Sequence, residues 1–311
     1  MNQLKNYLKK ILKKNTVPGF SGLTWYELLR LYWEGIIDGF ITVRAGSIAY
    51  SFFMALFPFL LFTLSLIPIV PIPDFQNDFI AFIHDLVPPK TFDVIDNVIY
   101  DIATKPKKGL MSFSILLSVL FMANGVNAIL TGFEESVHKV IGRRNLIKQY
   151  LIALSLSLVL VLILFISVLG IVYFEIIVVY NLKKHGIIND YSFWMYWGKK
   201  LFYLLMIFIS VSLLYYFGTK EGKKLKFFSP GSIMTSFLTI ISFYFFNVYI
   251  DHFSRYNQLY GSIGAFLILM LMIWLNSLIL LLGHELNMAI LKYKYQLKTN
   301  NDKKFYHSLS D

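Results

Sequence analysis

The sequence predicts an all-α integral membrane protein with six transmembrane helices, and three observations carry that prediction. Hydrophobic residues make up 57% of the 311-residue chain and charged residues only 15%. Six stretches, 45–73, 109–133, 149–174, 201–219, 227–250 and 256–284, run without Asp, Glu, Lys or Arg, and about 20 apolar residues cross a bilayer core as a helix. Lys and Arg number 20 in the segments on one side of those runs and 9 on the other. By the positive-inside rule both termini then lie in the cytoplasm.

Three segments follow: an interfacial segment 1–44, a transmembrane domain 45–291 and a basic cytoplasmic tail 292–311. Within 1–44, Leu4, Tyr7, Leu8, Ile11 and Leu12 fall at helical spacing among lysines, the pattern of a helix lying in the interface with snorkelling lysines. The stretch "LTWYELLRLYWEGIIDGFITVR" is aromatic-rich and sparsely charged, and it is expected to lie at the same surface. No signal peptide is visible, so the first span is expected to stay in the mature protein.

The spans are placed at about 47–70, 109–133, 149–174, 201–219, 231–250 and 261–290. Pro58 in the first frees a backbone carbonyl and kinks the helix. The loop after it carries six aspartates and two amphipathic patches, 75–86 and 91–102, which predict two short helices over the outer face. The fourth span is the shortest of the six. Gly261 and Gly264 in "YGSIGA" and Gly283 near the end of the sixth span permit close packing or rearrangement.

Depth and helical angle select the candidate site. Asn124 and Asn127 fall about 22–27 Å below the outer edge of the second span and Asn276 about 21 Å below that of the sixth. Arg44, Ser47, Tyr50 and Ser51 open the first span at a similar level. Arg44, Ser47 and Ser51 share one helical face; Asn124, Asn127, Thr131, Glu135 and His138 form a stripe; Asn276, Gly283 and Asn287 align, with His284 beside them. Glu285 sits about 180° from Asn276. Either protein surrounds the sixth helix on both sides, or Glu285 faces the headgroups.

Polar residues inside a membrane turn toward partners or water. One reading is interhelical packing, with Asn and Ser hydrogen-bonded across the bundle and Arg44 meeting a glutamate. The other is a polar vestibule open to the cytoplasm, where Arg44 attracts an anionic head group. Candidate binding residues are then Arg44, Ser47, Tyr50, Ser51, Asn124, Asn127, Glu135, Asn276, His284 and Asn287. Glu134 and Glu285 stay open. Acid/base work by His284 with Glu134 or Glu135 needs those groups to converge, so no catalytic residue is assigned.

The six histidines show no metal-ligand spacing, cysteine is absent, and no phosphate-binding loop or dinucleotide fingerprint occurs. Neither a metal nor a cofactor is expected. The net charge of +11 follows the topology, so the expected partners are membrane lipids, with a lipid or other amphiphile as substrate, and not nucleic acid.

"RAGSIAYSFFMALFPFLL", "NGVNAILTGFEESVHKV", "FSPGSIMTSFLTIISFYFFNVYI" and "YGSIGAFLILMLMIWLNSLILLLGHELNMAI" resemble, in order and spacing, the YihY/BrkB family of bacterial inner-membrane proteins over about residues 25 to 292. Arg44, Ser47, Tyr50, Pro58, Asn127, Gly261, Gly264, Gly283, Glu285 and Asn287 match the family pattern. The resemblance implies six spans, cytoplasmic termini and a place in the bacterial inner membrane. It also implies a link to envelope lipid export in some members, and a former label, ribonuclease BN, now regarded as a misassignment. The expectation is a non-enzymatic protein that transports or handles an amphiphile, with a structural or scaffolding protein as the alternative. A membrane-embedded lipid-modifying enzyme stands behind both, and RNA cleavage is not expected.

Overall fold

The computed structural model describes residues 12–17, 23–66, 108–173, 191–252 and 262–308. The helices are α1 (Trp25–Ile37), α2 (Ile41–Leu66), α3 (Lys108–Glu134), α4 (Leu146–Tyr173), α5 (Tyr191–Gly218), α6 (Pro230–His252) and α7 (Ser262–Ser308). Five of them contain stretches long and apolar enough to cross a membrane: Ile41–Phe59, Ile115–Glu134, Leu146–Ser167, Lys200–Gly218 and Phe266–Leu297. Pro230–Phe246 in α6 is a shorter apolar stretch. The outer helices expected at 75–86 and 91–102, most of the lysine-rich N-terminal helix, and Gly261 lie outside the described residues.

Neighbours in sequence are neighbours in space. From α2 to α7 each helix packs on the next, and α7 returns to pack on α2, so six helices close a ring. An apolar core of Ile41, Ala45, Ile48, Ile129, Leu130, Phe133, Leu214 and Leu281 ties α2, α3, α5 and α7 together. Gly132 lets α2 approach α3, because a Cβ there would lie 3.1 Å from Ile48 and 3.3 Å from Leu281.

Local chemistry sets the ends. Thr24 caps α1: its hydroxyl accepts from the Glu27 amide, and the Glu27 carboxylate accepts from the Thr24 amide, the reciprocal capping box. Proline does not stop α2, which runs through Pro58; Ser118 of α3 donates to the Pro58 carbonyl at 2.5 Å. The fourth apolar stretch, Lys200–Gly218, keeps the expected short length, but its helix is longer. Lys199 and Lys200 interrupt the uncharged stretch but not the helix, and α5 extends back to Tyr191 through "YSFWMYWG". The sixth run also continues beyond the apolar stretch, since no Gly or Pro follows Gly283 before Ser308.

The basic segments meet at one end of the ring. Glu221, in the α5–α6 connection, accepts from the Ile141 amide of the α3–α4 connection at 2.8 Å. Lys220 donates to the carbonyls of Gly142 and Arg143, and Arg144 to those of Phe217 and Gly218. Here α1 lies on the extension of α7, with Leu28 and Leu31 buried against Ala289 and Ile290.

Candidate functional site

The chain must turn sharply from α1 into α2 to place Arg44. Phe40 adopts φ 46°, a left-handed conformation that few non-glycine residues take. Gly39 is enclosed so closely that a Cβ would strike the Gly35 carbonyl and lie 2.7 Å from Arg44 Nη2. From this turn the Arg44 guanidinium enters the bundle, where its residue is only 5% exposed. Nη1 donates to the Gly132 carbonyl and Nη2 to Glu285 Oε1, each at 2.7 Å.

Glu285 is fully buried. Its second oxygen accepts from Ser136 Oγ at 2.8 Å, and Gly35 of α1 covers it, since a Cβ at Gly35 would lie 2.7 Å from Oε2. Of the two placements open in the sequence, Glu285 takes the first, with protein on both sides of α7. A buried carboxylate is tolerable only when its lone pairs are met by charge and hydrogen bonds, and Arg44 and Ser136 supply both. The phenol of Tyr32 is pushed up to about 12 by burial and by the charge of Glu285.

His138 closes the same layer. Its Nε2 lies 2.5 Å from the Leu31 carbonyl and its Nδ1 lies 3.0 Å from Lys292 Nζ. A carbonyl only accepts and an ammonium only donates, so the ring is the Nε2–H tautomer. One imidazole thereby joins α1, the α3–α4 connection and α7.

The other candidates divide among separate contacts. Asn287 joins α7 to the start of α6: its Oδ1 accepts from the Gly231 amide and its Nδ2 donates to Ser229 Oγ, each at 2.9 Å. Ser229 and Pro230 form a standard helix start, and Asn287 completes it from outside. Gly283 faces Gly231 at this crossing, where a Cβ would lie 2.7 Å from the Gly231 carbonyl and 2.5 Å from the Tyr215 hydroxyl. Tyr215 donates to the Leu280 carbonyl at 2.6 Å and lies 2.7 Å from Thr235 Oγ1.

Asn127 and Thr131 both accept from Gln149 Nε2, at 3.1 and 3.0 Å, which links α3 to α4. Asn276 accepts from Ser242 at 3.2 Å, linking α7 to α6. His284 is buried and stacks on Phe133 with ring centroids 4.3 Å apart; neither of its nitrogens has a hydrogen-bond partner. Ser47, Tyr50, Asn124 and Glu135 are exposed, and Ser51 bonds only the Ser47 carbonyl of its own helix. Glu134 pairs with Lys139. Pro58 is buried, and Gly264 lies within α7.

The structure therefore joins Arg44 to Glu285 and distributes Asn127, Asn276 and Asn287 over three further interhelical contacts. Ser136, Gln149, Ser229 and Gly35 take part without having stood out in the sequence. Only Ser229 carried a readable signal, as the Ser-Pro pair opening an apolar run. Among the described residues no three His, Asp or Glu side chains gather where they could hold a metal ion.

One cavity of about 230 Å³ lies between α2, α3 and α4, lined by residues including Phe52, Leu56, Gly125, Val126, Leu160 and Leu164. Its lining is almost wholly apolar. Phe52 stands two turns, about 12 Å, beyond Arg44 on α2, and neither member of the ion pair lines the cavity.

The chain is similar to the putative ribonuclease-like protein YfkH of Bacillus subtilis, with 26% identity over 261 residues that cover 81% of this chain and 90% of that protein. It is 21% identical over 271 residues to a UPF0761 membrane protein of Xanthomonas oryzae pv. oryzae, covering 86% of this chain and 61% of the relative. A UPF0761 membrane protein of Xanthomonas axonopodis pv. citri is 20% identical over 300 residues, or 95% of this chain and 67% of the relative. The chain thus spans about three fifths to two thirds of the Xanthomonas proteins. No solved structure matches it. The family model described as Virulence factor BrkB matches residues 33–306, and the chain belongs to this BrkB/YihY family of multi-pass membrane proteins.

Proposed function

We propose that the protein handles a lipid or other amphiphile in the bacterial cytoplasmic membrane by receiving its hydrocarbon chain between α2, α3 and α4. The ring of α2 to α7 then crosses the bilayer six times, with both termini and the basic end in the cytoplasm. The cavity is the observation that carries this reading. An enclosed apolar cavity of about 150 Å³ admits a small hydrocarbon; this one is larger, as apolar and partly open to the outside, so a chain can enter it.

The test uses Gly125. A Cβ there would lie 3.5 Å from the Phe52 ring, an ordinary contact, so Gly125→Ala leaves the cavity open and Gly125→Leu fills it. Reconstituted protein is photolabelled with a phospholipid carrying a diazirine on its acyl chain, and adducts are mapped by mass spectrometry. Adducts on cavity residues of α2 to α4, kept in Gly125→Ala and lost in Gly125→Leu, support the proposal. Equal labelling of both variants, or adducts only on the outer faces of the helices, overturns it.

A structural role is the second reading, favoured by the engagement of Arg44, Asn127, Asn276 and Asn287 in contacts between helices. It predicts that Arg44→Ala lowers abundance and any cellular phenotype together. Loss of phenotype at unchanged abundance counts against it.

A further inference from the structure

We infer that α1 is a membrane-reading helix: its exposed apolar stripe docks into the headgroup–acyl boundary of the bilayer while its opposite side closes over the Arg44–Glu285 pair. This goes beyond the lipid-handling proposal and does not depend on it.

The helix has three sectors. Leu28, Leu31 and Gly35 face the protein and are buried. Glu27, Arg30, Glu34 and Asp38 form a charged sector, within which Arg30 donates to Glu34 at 2.7 Å. The third sector is apolar and exposes Trp25, Leu29, Trp33 and Ile37, which recur every four residues over an arc of about 120°; within it Ile36 leans on the core and Lys13 lies over the Tyr26 ring. Trp33 is 63% exposed, and Phe40, just past the helix, is 72% exposed. An amphipathic helix on water needs no such third sector.

A bilayer fits this sector better than another protein does. Beyond the turn at Phe40, the exposed large residues of α2 continue with Val43, Tyr50, Met54 and Phe57, with exposed Ser47 among them, and they belong to a membrane-crossing stretch. Surface continuous with the lipid-facing side of a span meets lipid too. Tryptophan, with an apolar body and one N–H donor, is the residue that settles at that boundary. The charged sector carries three acids against one arginine, so attachment comes from apolar burial and not from attraction to anionic lipid.

The opposite side reaches the ion pair at atomic contact. Gly35 packs on Glu285 Oε2, Gly39 on Arg44 Nη2, and the Leu31 carbonyl on His138. Movement of α1 in the interface is therefore transmitted to the groups that join α2, α3 and α7.

The chain has no cysteine, so single substitutions Leu29→Cys, Trp33→Cys and Arg30→Cys each give one labelling site. Each full-length variant is spin-labelled and reconstituted in nanodiscs, either of phosphatidylcholine alone or with phosphatidylglycerol. Relaxation by oxygen is compared with relaxation by a water-soluble nickel chelate. The expected result is oxygen-dominated relaxation at 29 and 33 and nickel-dominated relaxation at 30, alike in both lipids. Nickel access at 29 and 33 equal to that at 30 overturns the proposal by placing the stripe in water. Shielding of both positions from both reagents overturns it in favour of a protein partner, a second copy included. In the unsubstituted chain, acyl-brominated lipid should quench tryptophan fluorescence by a share that falls in Trp33→Phe; an unchanged share also counts against docking.

Discussion

Arg44 and Glu285 lie 241 residues apart in sequence and meet at 2.7 Å, both buried. The pair binds the first helix of the ring to the last, where the ring closes. Removing one partner strands a buried charge, at a cost of about 3–5 kcal/mol. Arg44→Met and Glu285→Leu are each expected to lower the unfolding midpoint in detergent strongly. The double change Arg44→Met with Glu285→Leu is expected to recover much of the loss, because no charge is left unpaired. Additive losses in this double-mutant cycle would mean that the two side chains do not share their energy.

The α6–α7 crossing gives a graded test. At Gly283 a Cβ meets a backbone carbonyl and the Tyr215 hydroxyl, and neither can swing aside. Gly283→Ala should force the helices apart and reduce folded yield, and Gly231→Ala should do the same. Asn287→Ala leaves the Gly231 amide and Ser229 hydroxyl without their partner, costing about 1 kcal/mol. A Cβ at Gly46 would have nothing within 4 Å of it, so Gly46→Ala, inside α2, should leave stability unchanged or raise it by up to about 1 kcal/mol. Thermal unfolding of the four variants should rank them in this order.

Residue patterns made much of this architecture legible, and the exceptions have identifiable physical causes. Uncharged runs located the apolar helices, because burial in lipid tolerates few charges. The same rule cut α5 short, since Lys199 and Lys200 end an uncharged run without ending a helix. The orientation of Glu285 could not follow from helical angle alone: angle separates two faces, but whether protein covers both depends on α1, which packs where the extension of α7 continues as a helix. Gln149 was invisible for a related reason. It lies at the first turn of α4, where a polar residue looks like an interface residue until Asn127 and Thr131 are seen opposite. The four basic segments, read by charge count, do meet at one end of the ring.

The Arg30–Glu34 pair on α1 supplies a pH dependence. The hydrogen bond from Arg30, opposed by partial burial, holds the Glu34 carboxyl below its ordinary value of 4.5. A lowered carboxyl stabilises the fold fully above that ordinary value, and the contribution fades as pH falls through the lower folded value. Exposure keeps its size small. Carboxyl carbon shifts in labelled protein should show Glu34 titrating below 4.5 and moving upward in Arg30→Ala; an unmoved titration would show that the pair does not persist in solution.

The interlocked connections at the basic end should behave as one unit. Arg144 donates to the carbonyls of Phe217 and Gly218 at 3.0 Å, which are the last acceptors of α5 and have no helical donor of their own. A cation there also meets the negative end of the helix dipole. Glu221 and Lys220 return the contact to Ile141, Gly142 and Arg143. Because each side supplies both donors and acceptors, Arg144→Ala should loosen both connections, not only the end of α5. Hydrogen exchange is expected to quicken at the Ile141 amide as well as in the 219–229 connection. Charge alone would be restored by Arg144→Lys, but an ammonium lacks the planar set of donors that guanidinium offers. That variant should therefore recover only part of the protection, and full recovery would assign the effect to the dipole and not to the paired hydrogen bonds.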